Sequence, residues 1–284
     1  YIYSIELKSY KYRLYPSKVQ QRRILAQFDG CCELYNVLLQ KCKDAYKKEG
    51  VSLNSKSKLC EIIRQIKADN PEFKQVYSQV LQNCADRLSR AYANFFRRTE
   101  QKRAGKKIRT GFPRYKKHFH SITYPQFGFK LLSQRRLKVS KIGSVPIILH
   151  RDPKGKLKTL TVKRNRAGQW FAVFSCEVNS KKKPHPNADK KVGIDVGLES
   201  FATLTTREQI SNPRYLVNTE KKLKKLQSRA SRKAKESRKR GKAVRRLASA
   251  HQKVFDQRMD FQHKLSGYYV DHYELIAVED LNIR

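Results

Sequence analysis

The chain opens on alternation. Tyr1, Tyr3, Ile5 and Leu7 share one parity and Tyr10, Tyr12 and Leu14 the other, the period-two pattern of a strand with one buried face. The change of parity near Ser9 predicts a bulge or a strand break, because one extra residue exchanges the faces. Pro16 ends the run, and Ser17 with Gln20 three positions on is a capping-box signal for a helix. Ile24, Phe28, Cys31, Tyr35, Leu38, Cys42 and Tyr46 then keep helical spacing. A second helix carries Leu59, Ile62, Ile63 and Ile66. A third is predicted to start at Asn70 as N-cap with Pro71 in its first position. Its stripe is Val80, Cys84, Leu88, Ala91 and Phe95, with Tyr77, Tyr92 and Phe96 beside it. The three helices read as a small bundle over residues 17–104. Their aromatics read as core, not as a base-stacking platform, because the spacing is helical.

Character changes at Ala104-Gly105-Lys106-Lys107. Residues 110–118, TGFPRYKKH, interleave aromatics with bases, which suits a loop that tracks a phosphate backbone; the alternative is a solvated linker. Short strands follow at 122–124, 137–139 and 145–149, then a hairpin of 157–163 and 170–178 turning at Asn165-Arg166-Ala167-Gly168. Residues 106–180 therefore read as a small β-barrel or sandwich that the first strand joins. Lys181-Lys182-Lys183-Pro184-His185-Pro186 is a linker by composition. Val192, Ile194 and Val196 form the next strand, and Phe201–Leu204 its hairpin partner after a turn at Gly197-Leu198-Glu199-Ser200. Two helices then carry Leu223, Leu226, Ala230 and Ala234, and after a break at Gly241, Val244, Leu247, His251, Val254, Phe255 and Met259. Leu275-Ile276-Ala277-Val278 is a last strand, ending at Glu279.

Charge changes the picture more than any other bulk property. The chain has 284 residues, with 64 Lys+Arg against 24 Asp+Glu, a formal net charge of +40. Folding gains nothing from that self-repulsion, so a polyanion is the expected partner, and nucleic acid the first choice. No long apolar span, lipidation motif or amphipathic anchor points to a membrane. Fourteen Lys/Arg fall between positions 221 and 246, with Glu236 the only acid. Six cysteines occur without CxxC spacing, most of them on apolar faces of the predicted helices, and they read as buried, reduced thiols. No signal or transit peptide is visible. The sequence starts at Tyr1, has one methionine, Met259, and stops just after a strand; both ends read as trimmed.

Two acids stand in apolar strand-like runs, Asp195 and Glu279. A lone buried carboxylate is costly unless cations or donors meet it. If the two strands are neighbours, the carboxylates would share Mg2+ and activate water against a phosphodiester. Spacing alone leaves a structural reading open, in which Asp195 caps a turn and Glu279 pairs with a base. Asp280 would point to the opposite face, and Glu199 sits in the turn. His118 and His120 lack a partner cluster, and no Walker loop, GxGxxG or serine elbow occurs.

The string GIDVGLESFATL, then NPRYL, a Lys/Arg-rich helical pair, DFQHKLS and IAVEDLNI closely resembles the RuvC-like domain of TnpB proteins. These are OrfB-type, transposon-encoded relatives of type V CRISPR effectors. YRLYPSKVQQ, VLQNCADRLSRAYANFF and GFPRYKKH agree in family order, so the resemblance covers nearly the whole chain. It implies a multidomain α+β protein: a helical recognition bundle inserted in a wedge-type β-barrel, then an RNase H-like (RuvC) α/β domain with a basic helical pair. The implied domains are 1–16 as a barrel strand, 17–105 as recognition lobe, 106–183 as barrel and linker, and 184–284 as nuclease domain. The implied activity is Mg2+-dependent, RNA-guided DNA cleavage in a prokaryotic cytoplasm, with nucleoid association when bound to DNA. Its partners would be a guide RNA from the transposon end and double-stranded target DNA.

By the same resemblance Asp195 and Glu279 are the first two catalytic acids and metal ligands. The third, an aspartate, would lie beyond Arg284 after a zinc ribbon, the only place where Zn2+ is expected. Gln82, with Ser78, Gln79 and Ser57, would read a short target-adjacent motif. Arg114, Lys116 and Lys117, and from the basic helices Lys221, Lys222, Lys224, Lys225, Arg229, Arg232, Arg238, Arg245 and Arg246, would contact nucleic-acid backbone. Two alternatives stay open: a nuclease-inactive, RNA-guided DNA-binding repressor of the same descent, and a structural RNA-binding protein.

Overall fold

In the computed structural model, which describes residues 4–180, 186–187 and 189–279, strand β1 (Ser4–Leu14) pairs without interruption with β7 (Trp170–Ser180), from Ser4 opposite Ser180 to Leu14 opposite Trp170. The bulge expected at Ser9 is absent. Positions 6–9 are all exposed, with Leu7 at 70%, while Tyr10, Tyr12 and Leu14 are buried. The parity change marks a strand that outruns its core, not an inserted residue.

Six further strands complete an antiparallel sheet: β2 (Ser121–Tyr124), β3 (Phe129–Ser133), β4 (Arg136–Val139), β5 (Gly143–Ile148), β6 (Lys156–Arg164) and β7, in the order β2-β6-β7-β1-β5-β4-β3. Its edges, β2 and β3, are consecutive in the chain. Tyr124 Oη donates to Ser140 O at 3.2 Å, and the Phe129 ring lies 6.0 Å from Phe174 on a central strand. These contacts curl the sheet until it is nearly closed, which shields the edge strands from pairing with other chains.

Three helices are inserted between β1 and β2. Helix α1 (Lys18–Glu49) starts on the predicted capping box, with both reciprocal bonds between Ser17 and Gln20 formed, and stops at Gly50 with φ +68°. Helix α2 (Lys56–Asp69) is capped by Ser55. The third helix departs from expectation. Pro71–Gln75 is a 3₁₀ turn to which Asn70 gives no side-chain cap, and α3 begins only at Ser78 and runs to Arg103. Phe73 and Val76 are buried, so that turn is pinned by packing. Helices and sheet share one core: Phe28 packs on Trp170 at 5.9 Å, and the Tyr124 hydroxyl, besides Ser140 O, has Gln27 Oε1 3.1 Å away. All six thiols are free, and all but Cys60 are buried. A hydrogen bond with Cys84, then burial, pushes Cys31 well up; burial raises Cys42 and Cys176.

A second compact unit follows Ser180. It holds β8 (Lys191–Asp195), β9 (Ser200–Leu204), β10 (Gln209–Ser211), α4 (Tyr215–Ser231), α5 (Arg238–His272) and β11 (Leu275–Val278). The sheet order is β10-β9-β8-β11; β8, β9 and β10 form an antiparallel meander, and β11 lies parallel to β8. A parallel neighbour needs a crossover, and the two helices supply it. The core is small: Val192, Leu204 and Tyr269 are buried, with Ile194, Ile210, Leu265, Tyr273 and Ile276 against them. Gly193 is required by close approach, since a Cβ there would sit 2.7 Å from Thr205 Cγ2.

The helix break predicted at Gly241 lies earlier. The chain turns between Arg232 and Ser237, and Ser237 caps α5 by accepting from Arg240 N at 3.0 Å. Gly241 sits in the first turn of α5, where its low propensity costs little. The predicted linker falls largely on 181–185, and Asp280 at 280; both lie outside the described residues. Among the described residues no helix is long and apolar enough to cross a membrane.

Candidate functional site

Strand register brings the two acids together. In the parallel pair β8–β11 the last registered partners are Ile194 and Val278, so the next residues along each strand are Asp195 and Glu279. They stand at the C-terminal ends of neighbouring strands and, by parity, on one face of the sheet. The expectation of a buried acid inside an apolar strand is corrected: β8 ends at Asp195, Val196 is already in the loop, and both carboxylates are exposed. No cation is bonded to either among the described residues. A solvated carboxylate needs no buried counter-charge, so the energetic argument from burial falls away. Side-by-side placement of two hard oxygen donors takes its place. No group of three metal-ligating side chains occurs among the described residues.

The surroundings of Asp195 are set by the loop that follows it. Asn212 Nδ2 donates to Leu198 O at 3.1 Å, and Asn212 Oδ1 accepts from Arg214 N at 3.1 Å. This turn holds Arg214 at φ +45° just before α4. A cleft of about 320 Å3 opens there, lined by Val196, Gly197, Arg214, Tyr215 and, from α5, Arg258 and Phe261. The NPRYL string thus forms one wall of a cleft that begins at Val196, the residue after Asp195. Arg214 and Arg258 were not singled out from sequence. The string containing Arg214 was a signal, whereas Arg258 was one more base on a basic helix.

The basic helices and the turn between them carry Lys221, Lys222, Lys224, Lys225, Arg229, Arg232, Arg238, Arg245 and Arg246, and all nine are exposed. Lys224 is engaged by Glu220 at 2.8 Å, an exposed pair of small energetic weight. Arg240 is structural: its Nη1 donates to Lys233 O at 2.9 Å and Ala230 O at 3.4 Å, satisfying carbonyls at the end of α4.

In the first unit, Ser78 and Gln82 lie four apart on the exposed opening turns of α3. Gln79 is partly committed, since its Oε1 accepts from Phe127 N at 3.0 Å. Ser57 is exposed on α2, its hydroxyl 3.3 Å from Ser55 Oγ. The TGFPRYKKH stretch is an irregular strap fixed to α1, not a free linker. Asn36 accepts from Lys116 N at 2.8 Å and donates to Lys116 O at 2.9 Å, imitating a backbone partner. Cys32 Sγ donates to the same carbonyl at 3.2 Å, and Tyr115 Oη donates to Gln40 Oε1. Phe112 packs on Tyr92 and Phe95 at 5.4 and 5.3 Å. Arg114, Lys116 and Lys117 are left exposed along the strap.

Two family models match the chain: a probable transposase, OrfB_IS605, over residues 173–284, and the OrfB_IS605 helix-turn-helix domain over residues 6–50. Residues 6–50 here form a strand and one long helix. A putative RNA-guided DNA endonuclease of Streptomyces pristinaespiralis is 33% identical over 284 residues, covering 98% of this chain and 67% of that protein. The putative RNA-guided DNA endonuclease InsQ of Escherichia coli K12 is 28% identical over 282 residues, with the same coverage. Among solved structures, Cas12f1 in its complex with sgRNA and target DNA superposes with a TM-score of 0.52. The identity is 12%, covering 98% of this chain and 81% of that one. At that identity the likeness is one of fold.

Proposed function

Since the chain belongs to the OrfB-type transposon protein family whose relatives are named putative RNA-guided DNA endonucleases, we propose that it acts in RNA-guided cleavage of DNA, with Asp195 and Glu279 in the catalytic site. The observation that carries this reading is the β8–β11 register, which aligns the two acids at adjacent strand ends. An antiparallel meander joined by a parallel fourth strand is also what the RNase H-like core implied by the sequence resemblance would require.

The acids fit a divalent ion. Two exposed carboxylates, unpaired among the described residues, are the donor set that Mg2+ takes together with water and substrate phosphate. Asp195 and Glu279 would hold it, and when bound it lowers the pKa of coordinated water and neutralises charge on the phosphodiester. The chain's own part is positioning. Arg214 and Arg258, which line the cleft that begins at Val196, would bind the phosphates flanking the scissile bond. The exposed bases of α4 and α5 would hold backbone further along.

Specificity would come from pairing between a guide RNA, transcribed from the transposon end, and one strand of target DNA. The protein would read only a short adjacent motif in the duplex. Ser78, Gln82 and, less freely, Gln79 offer polar groups for that reading on the opening turns of α3, with Ser57 on α2. Arg114, Lys116 and Lys117 are fixed along the strap for backbone contact.

The test uses the full-length protein purified with its RNA. Asp195→Ala should abolish cleavage, by a factor of roughly 10³ or more, while RNA and target binding stay within about twofold, since a solvated carboxylate contributes little to fold or affinity. If the variant still cuts, the site is wrongly assigned. Loss of binding together with cutting would instead make Asp195 structural.

A further inference from the structure

The aromatic residues at the far end of α1 and α3 do not all behave as core. Tyr92 is buried, but Tyr46 is 70% exposed, Phe96 46% and Phe112 44%. With Phe95 and Lys43 they line a groove of about 370 Å3 within the first unit. Its walls are fixed. Phe112 is held edge-on against Tyr92 and Phe95 by the strap, and Tyr92 and Phe96 stack at 6.4 Å. Lys43 Nζ lies 5.8 Å from the centre of the Phe112 ring and 4.1 Å from that of Tyr115, so the rim is cationic at a defined point.

Exposed aromatic surface walled by rigid elements marks a binding site, and the charge around it selects the occupant. Residues 97–117, which run out of α3 and through the strap, carry ten Lys/Arg and a single acid, Glu100. Such a rim repels a second copy of this chain, whose matching surface has the same sign. A double helix offers this groove no π face, because its bases are stacked and paired. An unpaired nucleotide offers both an aromatic face and a phosphate.

We propose that the groove formed by Tyr46, Phe96 and Phe112 is a docking site for an unpaired nucleobase of a single-stranded nucleic acid, with Lys43 and the strap cations on the adjoining phosphates. The base would stack on the exposed rings, and the phosphates on either side would track the basic strap. The site is independent of Asp195 and Glu279, so it stands or falls apart from cleavage.

The full chain is titrated with short fluorescent single-stranded RNA, single-stranded DNA, the matching duplex, and a single strand carrying abasic positions. Tyr46→Ala/Phe96→Ala should weaken binding of a base-bearing single strand about tenfold or more and leave duplex and abasic strand within about twofold. Tyr46→Trp, which keeps a ring, should retain affinity. Whichever of RNA or DNA shows the larger loss identifies the strand that is docked. Ultraviolet crosslinking of 5-iodouracil strands should map to the peptides carrying Tyr46 or Phe96. Equal losses on abasic and base-bearing strands, unchanged single-strand affinity, or a concentration-dependent dimer removed by Tyr46→Ala would each overturn the proposal.

Discussion

Two helices of similar length are stabilised by different means. Helix α1 has 32 residues, ten of them buried; α5 has 35, of which only Val254 and Tyr269 are buried. The first owes its length to core packing, the usual source of helix stability in a folded domain. The second relies on the Ser237 cap, on contact with α4, and on local pairs such as Gln252 with Asp256 at 2.7 Å. The difference separates the roles of the units. The first spends its large side chains on a shared core and, as proposed, would bind through fixed features at its surface. The second leaves long helical faces covered in bases, where a polyanion is the natural counterpart.

Ionic strength should sharpen the contrast most. If the basic faces of α4 and α5 neutralise roughly six to ten phosphates, nucleic-acid affinity should fall by about 10³ to 10⁵ between about 50 and 200 mM salt. The urea midpoint of the first unit should hardly move over that range. A salt slope worth only one or two phosphates would break the comparison. Next in size is the core. Leu38→Ala, at a site with no exposure, should cost about 2–5 kcal/mol in chemical denaturation. Leu247→Ala, half-buried on α5, should cost about 1 kcal/mol. Similar losses at both positions would mean that α5 is as firmly packed as α1.

Asn36→Ala should cost about 0.5–1.5 kcal/mol, because the exposed Lys116 amide turns to water while its carbonyl keeps Cys32 Sγ. Hydrogen exchange at the Lys116 amide should rise first, ahead of any change in the sheet. The smallest effect is one of pH. Burial raises the Tyr124 phenol above its ordinary value of 10.0, so the folded state keeps a proton that the unfolded chain releases. Its contribution is intact below about pH 10 and is lost as pH climbs towards the folded pKa. The decline in urea midpoint above about pH 10 should be shallower in Tyr124→Phe, and an unaltered slope would show that other groups control it.

Much of this was legible in sequence because the signals were local. The Ser17–Gln20 box, the helical stripe through Leu38 and the hairpin across Asn165–Gln169 depend on neighbours a few residues apart, and each appears as expected. Errors came where a neighbour was distant or a break was shared. Leu7 changed parity because the core ends, which no local pattern records. Gly241 looked like a breaker, but Ser237 four residues earlier offered a better cap. The aromatics of α3 were read together as core, yet burial stops at Tyr92 and leaves Phe96 outside, because α1 ends nearby. At the candidate site, the two acids singled out from sequence are neighbours by strand register, but the physics offered for them was wrong. Asp195 was expected to be costly and buried; it is solvated, and its place follows from a strand partner distant in the chain. Arg258 was invisible for a related reason, since only the fold distinguishes it from the other bases on α5.

The parallel pairing of β8 with β11 has a consequence in time as well as in space. Closing a loop of about eighty residues carries an entropic cost before any contact offsets it, and non-local parallel pairing is slow to form. The meander β8–β9–β10 can assemble early from adjacent strands, but Asp195 has no Glu279 beside it until both helices have folded back and β11 has docked. The two carboxylates are therefore brought together by a late event in folding. A partly folded chain, or one still being synthesised, would already display its basic surface to nucleic acid while lacking the paired acids. Under the proposed function, attachment would precede competence in the order in which this unit can be built.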